Sequence, residues 1–183
     1  MGYKYFSGHE YFVTLKTYGG QLFFDTEEKK QIVKDRIFEY SKKLQIKIVV
    51  YAILSNHYHL ILRSNFWKNA TKFLQMVNGG SSYLLNKTEN SEGRGVWDIR
   101  WTRPINTEAG MYYVSGYILG NPIKHGLVRG LEELYDYRFC NYQEAVQECG
   151  LEYVDDMIHQ TIAMNLDLET EEQYLIRERG LAK

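Results

Sequence analysis

Lys47-Ile48-Val49-Val50-Tyr51-Ala52-Ile53-Leu54-Ser55-Asn56-His57-Tyr58-His59-Leu60-Ile61-Leu62-Arg63 is the stretch on which the fold turns. Lys47–Leu54 is a short, almost wholly apolar run, the pattern of a central strand. Ser55-Asn56 is a two-residue turn, and His57–Arg63 reads as the next strand. A two-residue connection implies an antiparallel hairpin. On a strand, residues i and i+2 share a face. His57 and His59 therefore project together, while Tyr58, Leu60 and Leu62 project the other way, toward the side suited to burial under helices.

Upstream, Glu10–Tyr18 is rich in β-branched and aromatic residues and reads as a strand ended by Gly19-Gly20. Asp25 and Glu28 resemble a capping box, and Val33, Ile37, Tyr40 and Leu44 form one stripe, so residues 26–43 are expected to be an amphipathic helix. Downstream, a second helix is expected within 66–86, weakened or kinked at Gly79-Gly80. Trp97–Arg103 reads as a fourth strand. Residues 107–119 read as a helix that stops at Gly120-Asn121-Pro122. The order βαββαβα gives an α+β fold: a ferredoxin-like or RRM-like antiparallel sheet with helices on one face. A helical C-terminal tail follows, with a capping box at Thr170 and Gln173.

The chain has 183 residues, 44% hydrophobic and 25% charged, which excludes a disordered or fibrous protein. No run of 18 apolar residues occurs, and the N-terminus lacks a signal-peptide stretch, so a cytoplasmic protein with no membrane partner is expected. Two cysteines, Cys140 and Cys149, are too few for a disulfide scaffold. The formal charge of −1 hides an asymmetry. Residues 1–138 hold 19 Lys and Arg against 13 Asp and Glu, or +6; residues 139–183 hold 3 against 10, or −7. A basic body with an acidic tail is one pattern of a polyanion binder. Two readings of the tail stay open. It can compete electrostatically with a polyanion for the basic surface, or it can pack through Val146, Leu151, Val154, Ile158 and Ile162 as structural helices.

Two imidazoles about 7 Å apart along a strand can converge on one divalent cation. Tyr117-Ile118-Leu119-Gly120-Asn121-Pro122-Ile123-Lys124-His125-Gly126-Leu127-Val128 carries the second signal. Tyr117 and Asn121 are four apart and share a helix face if the helix reaches that far. A tyrosine hydroxyl can attack a phosphodiester and become joined to it, and an asparagine oxygen can complete a metal shell. Tyr113 lies on the same face and is either a second nucleophile candidate or a packing neighbour.

Tyr51–Leu62 resembles the His-hydrophobic-His (HUH) strand of the single-tyrosine transposases, and Tyr117–Val128 resembles their nucleophile helix and the turn after it. Asn121–Val128 is most similar to the REP-associated branch. Phe23-Phe24-Asp25, Trp97 and Tyr137–Tyr142 are weaker echoes. Ser55 stands where that family usually has proline, and Tyr58 where it usually has an aliphatic residue. The resemblance implies a transposase domain over residues 1–142, with 143–183 as an acidic helical extension. It implies a single-stranded DNA endonuclease and strand transferase working through a 5′-phosphotyrosine, with Mg²⁺ or Mn²⁺ as cofactor. His57, His59 and Asn121 would hold the metal and Tyr117 would be catalytic. Single-stranded or hairpin DNA would be the partner, and the protein a monomer or homodimer. Arg63, Arg100, Arg103, Lys124 and Arg129 are candidate phosphate contacts. The alternatives are a non-catalytic hairpin or single-stranded DNA-binding protein derived from such an enzyme, and a metal hydrolase that needs no tyrosine. A third, an RRM-type sheet, would need exposed aromatics on its middle strands, where histidines are expected here.

Overall fold

In the computed structural model, residues 9–168 are described, apart from the side chains of His9, Trp67, Ile99 and Arg100. Five expected elements form with ends shifted by one or two residues. They are β1 (His9–Thr17), α1 (Glu27–Leu44), β2 (Ile46–Ile53), β3 (His57–Ser64) and β4 (Trp97–Ile105). The strands make one sheet in the order β2-β3-β1-β4, the ferredoxin-like arrangement expected from βαββαβ. β1 runs antiparallel to β3, with Thr14 opposite His59 and Leu15 opposite Tyr58.

The chain divides into two compact units. The first comprises Met1–Val49 and Ile53–Pro104. Here α1 packs on α2 (Trp67–Thr88), and α2 contacts β3. Tyr58 donates from Oη to Asn78 Oδ1 at 2.9 Å, which marks its strand face as the helix-covered one. Val33, Ile37, Phe73, Val77, Leu60 and Leu62 are buried there. Thr26, rather than Asp25, caps α1, its side chain accepting from Lys29 N–H. α2 runs unbroken through Gly79-Gly80. The reason is packing: a Cβ at Gly80 would lie 3.0 Å from Tyr40 Oη and 3.2 Å from Arg36 Cδ. The missing side chain is what lets α1 come close, and that contact outweighs the glycine's poor helix propensity.

β4 departs from strict alternation. Trp97 stacks on Phe24, meets Tyr58 edge-on and donates from Nε1 to Ser81 Oγ at 2.9 Å, all on the helix side. Trp101, four residues on, meets Phe12, whose ring lies 5.8 Å from that of His59 on the other side. The two tryptophans of β4, four residues apart, thus contact groups on opposite sides of the sheet. The opposite face is also covered, contrary to the expectation of an exposed histidine face. His57 is 5% and His59 0% exposed. Phe12 packs beside His59, so this side of the sheet is not the open platform of an RRM.

The second unit comprises Val50–Ala52 and Ile105–Lys183. Its helices are α3 (Glu108–Lys124), α4 (Leu131–Tyr135), α5 (Tyr142–Cys149) and α6 (Leu151–Ala163). Tyr51 N–H donates to Asn141 Oδ1 at 2.8 Å, and Ala52 bridges Cys140. α6 buries Val154, Met157, Ile158 and Thr161, an i, i+3, i+4, i+7 stripe, and packs on α3. Leu151 and Ile162, expected in that stripe, are exposed. Thr170 and Gln173 lie outside the described residues.

α3 does not stop at Gly120. It continues through Pro122 to Lys124. Pro122 removes the donor that would serve the Ile118 carbonyl. Every residue from Val114 to Pro122 is buried, however, and tertiary packing holds the helical path. Gly116 fixes how close the neighbouring helix comes, since a Cβ there would lie 2.3 Å from Met157 O, a backbone atom that cannot swing away. Gly116→Ala should therefore cost about 1–3 kcal/mol by overpacking. Thermal denaturation should show a melting temperature lower by roughly 2–4 °C per kcal/mol. An unchanged melting temperature would contradict the contact.

Candidate functional site

β3 begins at His57 because the preceding turn is closed by Leu54 N–H donating to His57 O at 2.8 Å. The side chain of Asn56 organises the first ring. Its Nδ2 donates to Gly20 O at 3.2 Å, which turns Oδ1 toward His57 Nδ1 at 2.7 Å. An amide oxygen only accepts, so His57 Nδ1 carries the proton and a neutral ring keeps its lone pair on Nε2. On the second ring, His59 Nδ1 lies 2.8 Å from Thr14 Oγ1, the hydroxyl that strand register places opposite it.

The two rings have centroids 4.7 Å apart and planes at 74°. Their Nε2 atoms are buried and make no hydrogen bond. Histidine ligands of metals commonly donate the second ring nitrogen to an oxygen, which fixes tautomer and orientation. His57 fits that pattern, and Thr14 can accept from His59 in the same sense. Among the described residues, no group of three or more His, Cys, Asp or Glu gathers around a metal position. A cation on this pair would complete its shell with neutral or phosphate oxygens, a set that suits Mg²⁺ or Mn²⁺.

In the second unit, α3 is capped by Thr107, whose hydroxyl accepts from Gly110 N–H at 2.9 Å. Ten residues on, Tyr117 is 5% exposed, and Asn121 is fully buried. The Asn121 amide donates from Nδ2 to the Tyr117 carbonyl at 2.6 Å, one turn back. Its Oδ1 is buried with no hydrogen bond, an acceptor whose desolvation nothing offsets. Lys124 places Nζ 5.2 Å from the Tyr117 ring centroid and donates to Leu166 O at 2.7 Å. A pocket of about 210 Å³ opens here, lined by Tyr117, Gly120 and Lys124 of α3 and by Thr161, Ile162, Asn165 and Leu166.

Other tyrosines are committed to structure. Burial, then the Asp155 carboxylate that its hydroxyl contacts at 2.6 Å, pushes the Tyr142 phenol well above its ordinary range. Burial and then Asp156 do the same to Tyr112, and burial does so to Tyr51. Tyr113 packs edge-on against Tyr112, with ring centroids 5.2 Å apart.

The structure thus brings His57 and His59 together in the first unit, and Tyr117, Asn121 and Lys124 together in the second. The remaining basic residues are dispersed. Arg63 pairs with Glu10, and Arg129 pairs with Glu133 at 2.7 Å. Arg103 lies over the Trp101 ring, 4.8 Å from its centroid. The Arg100 side chain lies outside the described residues. Thr14, Asn56 and the 161–166 segment were not marked as site residues in the sequence. Asn56 carried a signal, as a side chain next to the histidine strand in a tight turn. Thr14 carried none, because its partner depends on register.

The chain belongs to the family described as Transposase IS200 like, whose model matches residues 6–118. That span contains His57, His59 and Tyr117. Among solved structures, the REP-associated tyrosine transposase bound to a REP hairpin is similar, with a TM-score of 0.65 and 18% identity over 85% of this chain and 88% of that one. A candidate transposase from Deinococcus radiodurans R1 aligns at a TM-score of 0.45 and 16% identity, over 64% of this chain and 94% of that one. No curated protein matches the chain significantly. Membership makes this a transposase-type protein acting on DNA, and the first structural likeness confirms the α+β fold. No helix of the described residues is long and apolar enough to cross a membrane.

Proposed function

We propose that this chain cuts and rejoins single-stranded DNA beside a hairpin, with Tyr117 as nucleophile and Mg²⁺ or Mn²⁺ held by His57, His59 and the Asn121 amide oxygen. The histidine pair is the observation that carries this reading: each Nδ1 is engaged by an oxygen side chain, and the rings are 4.7 Å apart. Bound there, the cation would supply Lewis-acid polarisation of the scissile phosphate. Asn56 and Thr14 hold the rings in a ligating orientation.

In the step itself, Tyr117 Oη forms a bond to phosphorus and the bond to the 3′ oxygen breaks. The tyrosine loses its proton, and the departing oxygen leaves as a 3′-OH. The product is a 5′-phosphotyrosine, which conserves the phosphodiester energy. Rejoining is the reverse attack by a 3′-OH and needs no nucleotide triphosphate. Lys124, placed beside the Tyr117 ring, offers positive charge to a phosphate. The hairpin partner rests on the similar fold of a transposase solved with a REP hairpin.

The test is incubation with end-labelled hairpin DNA carrying single-stranded flanks, with and without Mn²⁺, followed by denaturing electrophoresis. A metal-dependent covalent protein–DNA band is expected. Cleaved DNA without that band would indicate a hydrolase. Binding without cleavage would indicate the non-catalytic hairpin binder. Either sinks the proposal.

A further inference from the structure

The pocket beside Tyr117 has a chemistry that strand cleavage alone does not require. Its volume, about 210 Å³, is below the roughly 300–1,000 Å³ of sites for drug-sized molecules, a size for one small group. Ile162 and Leu166 give it apolar walls, and Gly120 leaves one side without a side chain. Two polar groups remain for a ligand. Lys124 spends one of its three donors on Leu166 O. Asn165 carries an exposed side-chain amide that makes no hydrogen bond among the described residues.

The backbone explains why an asparagine sits there. After α6, Asn165 adopts φ 47°, and the turn is closed by Asn165 N–H to Ile162 O at 2.9 Å and Leu166 N–H to Thr161 O at 3.2 Å. Glycine is the usual residue in such a left-handed helix terminus. Asparagine tolerates the conformation and adds a donor and an acceptor at the pocket. Thr161 offers less, because its hydroxyl is already given to Ile158 O.

We propose that this pocket receives one unpaired nucleobase of the DNA strand, sandwiched between apolar walls and read at its edge by the Asn165 amide, with Lys124 turned to the adjoining phosphate. The inference rests on the single-stranded DNA reading of the Tyr117 site and names what would set its base preference. An amide can pair with a base edge in a two-point fashion, which discriminates between bases. Burial of the base against Ile162 and Leu166 takes apolar surface out of water, which adds affinity without reading sequence. The acidic extension would then be part of substrate recognition through its 161–166 segment.

Fluorescence anisotropy of the full chain with labelled homopolymers of dA, dC and dT of one length tests this. Asn165→Gly keeps the left-handed turn and deletes only the amide; it should flatten the preference among the three polymers. Ile162→Trp, at a partly exposed rim position, should fill the pocket and weaken binding of the preferred polymer roughly tenfold. Melting temperatures of both variants should match the wild type. Wild-type affinities for all three polymers in both variants would overturn the pocket, even if the covalent adduct forms normally. Altered preferences in a protein that never forms the adduct would retain the pocket and remove the cleavage reading instead.

Discussion

Tyr117→Phe should abolish the covalent DNA adduct, with cleavage falling by at least about 10⁴-fold, the scale seen when a covalent nucleophile is deleted. The substitution removes one oxygen from a residue that is 5% exposed and leaves the ring that Lys124 faces. Folding and oligonucleotide affinity should therefore stay within twofold of the wild type by thermal melting and anisotropy. Tyr113→Phe is the matched control. Tyr113 sits one turn earlier on α3 and packs against Tyr112. Its loss should leave the adduct intact. Full activity in Tyr117→Phe with none in Tyr113→Phe would move the nucleophile by one helical turn.

The hairpin was legible because a two-residue link and the alternation around His57-Tyr58-His59 leave one pairing direction and one assignment of faces. Both are local facts, and β2, β3 and the Tyr58–Asn78 contact agree with them. What escaped local reading depends on partners distant in sequence. Gly80 looked like a helix breaker because its value lies in admitting Tyr40 and Arg36 of another helix. Pro122 looked like a stop because propensity carries no information about the burial of Val114 to Pro122. The histidines looked exposed because alternation assigns residues to faces without saying which faces are covered. Of the site, residue types were readable, but their orienting partners were not: Thr14 reaches His59 only through the register of β1 on β3.

The same orienting contacts make the second large prediction specific. His57→Ala or His59→Ala should abolish Mn²⁺-dependent cleavage and weaken Mn²⁺ binding, read by calorimetry on protein without DNA. Removing an imidazole leaves one ring, and no cluster of three or more His, Cys, Asp or Glu exists among the described residues to replace it. Thr14→Val separates ligation from packing. Valine nearly matches threonine in shape but offers no oxygen to His59 Nδ1, so the ring remains while its orientation and tautomer are released. Loss of such a partner typically lowers metal affinity by about 10–100-fold, so Thr14→Val should bind Mn²⁺ more weakly by that factor, and raising Mn²⁺ should restore cleavage. Asn121→Ala should do less than either histidine change, because water can take the place of an amide oxygen. It also relieves a buried acceptor of its desolvation cost, so the fold should not be weakened through Oδ1. If Thr14→Val and both histidine variants bind Mn²⁺ like the wild type, the histidine pair is a packed structural element and the metal lies elsewhere.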